Sequence, residues 1–215
     1  MTIMKNHIQG AYDWDEVQDI LSIAKQDNYR NFVLLYTLAY TGRRIVEIVG
    51  REKERETKIK RDGKEYICKK YRHHGLRPMD IDFKRDLIRF EIAKQFERKS
   101  RYHKHKIVKV NGNVIEHLYE FIQKSNIKPN ERIFKLTPER VGQIVKKYCE
   151  KAQVYNKERL VHAFRHGFAL HFLEVSDDDP YAIVNLKESL CHSSLDITTE
   201  YLKYRKRKNE TIDKL

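Results

Sequence analysis

His162-Ala163-Phe164-Arg165-His166-Gly167-Phe168-Ala169-Leu170-His171-Phe172-Leu173-Glu174 reads as a helical run with a basic pair at its start. His162 and Arg165 stand three residues apart, which sets both side chains on one helix face. A helical arginine on its own usually faces solvent, and a helical histidine is usually packed or hydrated. The run gains meaning from its surroundings. Upstream stands Thr41-Gly42-Arg43-Arg44-Ile45-Val46-Glu47. Downstream come Leu190-Cys191-His192-Ser193-Ser194 and then Tyr201, nine residues past that histidine. Four such elements in one order are much harder to dismiss than any one alone.

Composition points to a polyanionic partner before any motif is invoked. The chain holds 44 Lys and Arg against 31 Asp and Glu, a formal charge of +13 with a pI near 9.5. This is the electrostatic footprint expected for a phosphate backbone, and such binding should weaken steeply with salt. The bland reading is a basic chain that is merely soluble or holds any polyanion. At 215 residues, 40% of them hydrophobic, the chain is large enough to bury a proper core.

No apolar run approaches the length needed to span a bilayer, and residues 1–10 lack the apolar core of a signal peptide. A soluble, cytoplasmic and nucleoid-associated protein is therefore expected, with no membrane partner. Cys68, Cys149 and Cys191 are odd in number and show no CxxC spacing, which argues against a disulfide framework or a thiolate zinc site. Cys68, His73, His74, His103 and His105 could be grouped as metal ligands, but scattered histidines in a basic hairpin region more often meet water or phosphate. Neither metal nor cofactor is expected.

Periodicity predicts helices, a β-rich middle, then helices again. Asp13-x-x-Glu16 resembles a capping box opening an amphipathic segment through Val17, Ile20, Leu21 and Ala24. A nearly all-apolar helix follows over Phe32 to Tyr40, stopped by Gly42, and a short one over Arg44 to Val49 ends at Gly50. From Arg51 to His74 charge dominates, yet Ile59, Tyr66 and Ile67 flank Asp62-Gly63, a strong hairpin signal. A projecting basic hairpin is expected there, either a DNA-contacting arm or a solvated insertion. Asp80 to Phe83, Leu87 to Ile92 and Lys106 to Val110 are strand-like and should form a small antiparallel sheet.

Further helices are expected over Asn113 to Lys124, after the Thr137 cap and N1 Pro138, over His162 to Leu173, over Pro180 to Leu190 behind the cap Asp179, and over Asp196 to Tyr204. With no internal repeat or low-complexity linker, residues 1–215 read as a single α+β domain. It is mostly helical with a small antiparallel sheet, a charged hairpin insertion at about 51–75 and a tail over 203–215.

The runs TGRRIVEI, HAFRHGFALHFLE and LCHSSLDITTEYLKY, with the strand-turn-strand that carries Lys94, resemble the catalytic domain of tyrosine recombinases of the phage-integrase and Xer type. The resemblance covers roughly Trp14 to Tyr204. It implies cleavage and rejoining of double-stranded DNA through a 3′-phosphotyrosyl link, by a homo-oligomer, a tetramer on DNA. It makes Arg44 and Arg165 a bidentate clamp on the scissile phosphate, His162 a proton acceptor for the nucleophile, and His192 a hydrogen-bond donor to a phosphate oxygen. Tyr201 becomes the nucleophile, with Tyr204 the alternative. Lys94 becomes the general acid, with Lys99, Lys104 and Lys106 close by, and Glu47 a supporting carboxylate.

Departures from the family pattern are Cys191 in place of glycine before the histidine, a longer stretch between Leu173 and His192, and the insertion after Glu47. The N-terminal core-binding domain usual in the family is expected to be absent, the chain being a fragment of a longer integrase or a minimal one. Two other readings stay open. One is a type IB topoisomerase that only relaxes supercoils; the other is a DNA-binding module without strand transfer.

Overall fold

The computed structural model describes residues 10–52, 55–61, 64–70, 72–93, 105–157, 161–192 and 194–204, with 55–61, 64–70 and 204 described by their backbone alone. The first helix, α1 (Trp14–Asp27), opens on the expected capping box, in which Glu16 Oε2 accepts from the Asp13 amide at 2.9 Å. Val17, Ile20, Leu21 and Ala24 form its buried stripe. Helix α2 (Tyr29–Thr41) begins three residues earlier than its apolar run predicts. The Asn28 side chain accepts from the Asn31 amide at 3.0 Å and so caps the helix. It is buried nearly all round, through Phe32, Val33, Leu34, Leu35, Leu38 and Ala39.

Gly42 ends α2 in the left-handed region with φ 58°. A Cβ there would lie 2.5 Å from Phe168 Cδ1 and 2.8 Å from Leu190 Cδ2, so both the backbone and the space demand glycine. The turn delivers the chain into α3 (Ile45–Val49), whose N-cap is Arg44.

Strands β1 (Arg55–Arg61) and β2 (Lys64–Lys70) pair antiparallel from Arg55↔Lys70 to Arg61↔Lys64, in keeping with the expected basic hairpin; its Asp62-Gly63 connection lies outside the described residues. The root of the hairpin is pinched. Arg51 pairs with His73, and a Cβ on Gly75 would meet the Gly50 nitrogen at 2.6 Å. A short 3-10 turn (Pro78–Asp80) leads into β3 (Ile81–Asp82), β4 (Leu87–Glu91) and β5 (His105–Lys109), an antiparallel sheet in that order. Ile88 and Phe90 turn inward from β4.

Helices α4 (Gly112–Lys124) and α5 (Pro138–Lys151) follow, α5 with Thr137 as cap and Pro138 in its first turn as expected. Then come α6 (His162–Val175), α7 (Ala182–Leu190) and α8 (Asp196–Thr199). Two expectations need correction. Helix α7 starts two residues later than predicted, because Asp179 caps a preceding turn, accepting from the Tyr181 amide at 2.8 Å and from Asn185 Nδ2 at 3.0 Å. The last predicted helix is only four residues of α-helix before it tightens into a 3-10 turn (Glu200–Tyr204).

Packing divides into two buried clusters. The larger gathers α1, α2, β4, α4 and α5 and includes Ala163 and Phe164 from the start of α6. The smaller comprises Ala169, Leu173, Ala182, Leu186, Leu190 and Tyr201. Helix α6 thus bridges the two, and its first turns sit at the seam. A fully buried leucine such as Leu186 contributes about 1.5–3 kcal/mol, a large share of what so small a cluster can muster. No helix among the described residues is long and apolar enough to cross a membrane.

Candidate active site

The seam gathers most of the basic motifs quoted above. Arg165 is 5% exposed and spans the gap between two helix ends: its Nη1 donates to the Gly42 carbonyl at 2.6 Å and its Nη2 to the Leu190 carbonyl at 2.7 Å. Those carbonyls belong to the ends of α2 and α7, where no intrahelical donor is left to serve them. A single guanidinium therefore satisfies both ends and fixes its own plane, while each of its terminal nitrogens keeps a second N–H. Burial, followed by the neighbouring Arg44 charge, lowers its pKa to about 10, which leaves it cationic at neutral pH.

Glu47 organises the other side. Its buried carboxylate accepts from the Arg44 amide at 3.1 Å, from Arg44 Nη1 at 3.2 Å and from the Ala93 amide at 3.1 Å. Glu47 thereby holds the Arg44 side chain and ties the segment after β4 to α3. Lys94, the next residue in the chain, lies outside the described residues, as do Lys99 and Lys104. Lys106, on β5, is ion-paired with Glu188 of α7.

Sequence reasoning missed Arg43. This residue is 2% exposed, lies 3.8 Å from Glu47, stacks over Phe90 at 4.9 Å, and its Nη1 donates to Cys191 Sγ at 3.1 Å. Its Nε and Nη2 find no hydrogen-bond partner among the described residues. Cys191 adopts the left-handed conformation, φ 53°, that glycine would favour. Two adjacent arginines look alike in sequence, and nothing local signals that the first turns inward.

Tyr201 is 4% exposed, with its ring in the smaller cluster. Burial raises its pKa, while the charges of Arg165 and Arg44 pull the other way. The ring lies parallel to that of His192, within 3°, at a centroid distance of 6.3 Å. His192 Nδ1 lies 2.8 Å from the hydroxyl of fully buried Thr198. The Thr198 hydroxyl can donate to that nitrogen, which leaves Nε2 as the proton-bearing donor.

The hydroxyl of Tyr201 lies 2.9 Å from Nδ1 of His166, a residue the sequence reading passed over. His162, the acceptor that the resemblance implies, is the first residue of α6, one turn earlier. The usable signal was the i, i+4 spacing of His162 and His166 on one face. Tyr204 is described by its backbone alone. Among the proposed metal ligands, His73 is held by Glu91, through its carbonyl at 2.9 Å and its carboxylate at 3.2 Å, and the Glu91 carboxylate also accepts from the His74 amide at 2.7 Å. Among the described residues no group of three His, Cys, Asp or Glu could hold a metal ion.

His192 carries a pH consequence. Burial, then Arg165 and Arg44, depress its pKa from 6.5 to about 4. The unfolded chain takes up this proton first, so stability present above pH 6.5 is lost as pH falls toward 4. After allowance for solvent screening of a half-buried ring, the loss should be about 1–2 kcal/mol. Thermal melts across this range should show the loss in the wild type and a smaller one in His192→Asn.

No family model and no curated relative matches the chain. Solved structures do. XerA recombinase superposes with a TM-score of 0.67 at 18% identity, over 99% of this chain and 64% of that one. XerH site-specific recombinase, in a post-cleavage complex with a palindromic difH substrate, gives 0.69 at 18%, over 98% and 54%. A lambda integrase (75–356) dimer bound to a COC′ core site gives 0.56 at 12%, over 92% and 62%. The chain thus spans under two thirds of the length of each of these three. At such identities the likeness is one of architecture, and it is close enough to conclude that the chain carries the tyrosine-recombinase-like catalytic fold.

Proposed function

We propose that this chain is the strand-transfer domain of a site-specific DNA recombinase or integrase. The observation that carries the reading is a buried phenol, Tyr201, whose hydroxyl meets His166 at 2.9 Å on the same helix that presents Arg165, the guanidinium bridging the Gly42 and Leu190 carbonyls. Three guanidinium groups, counting Arg43, face one carboxylate, Glu47, so the site has positive charge to spare for a phosphate. The net charge of +13 and the basic hairpin fit a DNA partner. The solved structures of like fold support the same reading, because several hold DNA substrates.

In the mechanism, Tyr201 Oη attacks a backbone phosphorus and the bond to the 5′ oxygen breaks. The product is a 3′-phosphotyrosyl link and a 5′-hydroxyl. A 5′-hydroxyl of the partner duplex later reverses the step. Arg44 and Arg165 bind the non-bridging oxygens and stabilise the charge that builds in the pentacoordinate state. His192 donates from Nε2 to one of those oxygens. Lys94 remains the proposed donor to the departing 5′ oxygen. The energy of the broken bond is kept in the protein-DNA link, so neither ATP nor a metal ion is needed, and a homotetramer would bring two duplexes together.

Incubation with nicked or supercoiled DNA in EDTA tests the proposal. A covalent adduct is expected from the wild type and from Tyr204→Phe, and none from Tyr201→Phe. Relaxation without exchange between two sites would replace it with the topoisomerase reading. Retained DNA binding with no adduct on any duplex would replace it with that of a binding module.

A further inference from the structure

We propose that His166, on the same helix as His162 and Arg165, is the catalytic residue that takes the proton from Tyr201; the inference rests on the strand-transfer reading above. The geometry is direct. Nδ1 of His166 lies 2.9 Å from Tyr201 Oη, and among the described residues it is the hydroxyl's only hydrogen-bond partner. The phenol is 4% exposed and belongs to the buried cluster that also holds Leu173, Leu186 and Leu190, so its proton has little direct route to bulk water. A nucleophile and base held within hydrogen-bond reach, with the base fixed by rigid surroundings, is the arrangement that nucleophilic transfer requires.

The role requires a neutral imidazole with its own hydrogen on Nε2. Burial, then His162 and Arg165, hold the His166 pKa below its ordinary value, which favours that form. The groups facing this ring are His162 and Arg165 on α6, His192 after α7 and Tyr201 on the terminal 3-10 turn, with Arg44 and Glu47 of α3 beside Arg165. Apart from Glu47, all of them are basic or neutral. An imidazolium is therefore disfavoured until an anion enters, and a bound phosphate supplies that anion. The acceptor becomes strong when DNA is in place.

The step balances. The Oη–H bond breaks as Nδ1–H forms, the phenolate electron pair makes the P–O bond, and the P–O5′ pair leaves with the 5′ oxygen. On rejoining, Oη departs and His166 returns its proton. His166→Asn is the informative variant, because the amide offers an acceptor near the Nδ1 position but cannot take up a proton.

The experiment is single-turnover adduct formation in EDTA from pH 5 to 9, on a pool of randomised duplexes carrying 5′-bridging phosphorothiolates. A thiolate leaving group needs no general acid, so the profile reports nucleophile activation alone. Wild type should show a rate that rises with pH to a plateau. His166→Asn should be on the order of 100-fold slower at neutral pH and keep climbing toward pH 9, while His162→Asn, even if slower at every pH, should keep the wild-type plateau and its midpoint. A His166→Asn protein with wild-type rate and plateau overturns the inference and leaves strand transfer standing, as does loss of the plateau in both variants. No adduct from the wild type overturns strand transfer and this inference together. A readout free of any variant is the nitrogen NMR spectrum of the wild-type ring, where a hydrogen on Nε2 is expected and one on Nδ1 overturns the assignment.

Discussion

Glu47→Gln should cost about 3–5 kcal/mol of folding free energy, the penalty for removing one partner of a buried charge cluster. The carboxylate is fully buried and answers Arg43, Arg44 and the Ala93 amide at once. Without its charge, Arg43 keeps a guanidinium at 2% exposure with Nε and Nη2 already lacking partners among the described residues. The expected companion result is sharper. Arg43→Met removes a desolvated charge but keeps a long apolar stem against Phe90, so it should be neutral or stabilising alone. In Arg43→Met/Glu47→Gln it should recover a good part of the loss. Denaturant melts of the four proteins complete the cycle. Simple additivity would show that Arg43 and Glu47 do not interact energetically.

Arg165→Lys should lose strand transfer by about 1,000-fold or more, beyond the 10²–10³ lost with a single preorganised donor, because two functions fall together. An ammonium cannot present two parallel N–H bonds to a phosphate, and it cannot bridge carbonyls at the ends of two different helices. The Gly42 or Leu190 carbonyl would be left buried and unpaired, at about 1–3 kcal/mol. Single-turnover kinetics with a parallel thermal melt check both parts. A fall in activity with an unchanged melt would show that the helix ends do not depend on Arg165.

Local signals made much of the fold readable. Gly42 and Gly50 marked helix ends, Thr137-Pro138 marked a start, and Asp62-Gly63 lay between what became paired strands, because each reports a backbone geometry its own residues impose. The shift of α7 shows the limit: Asp179 is a capping residue in either place, and hydrogen bonds to Tyr181 and Asn185 decide which. In the site, Arg44, Glu47, Arg165, His192 and Tyr201 could be named because their motifs resemble those of tyrosine recombinases, and spacing alone would not have assigned them roles. What spacing could not show was which histidine of α6 meets the phenol. That depends on where the terminal 3-10 turn lays Tyr201 across the helix, a tertiary outcome. The inward turn of Arg43 is of the same kind, set by Phe90 and Cys191 from distant segments.

The most direct test of the central claim is to digest a trapped protein-DNA adduct with trypsin and nuclease and find the nucleotide remnant by mass spectrometry. The two candidate tyrosines separate cleanly, since cleavage after Lys187 and Lys203 places Tyr201 on the peptide 188–203 and Tyr204 on 204–205. The account predicts the remnant on Tyr201. A remnant on Tyr204, or on a serine such as Ser193 or Ser194, would contradict it.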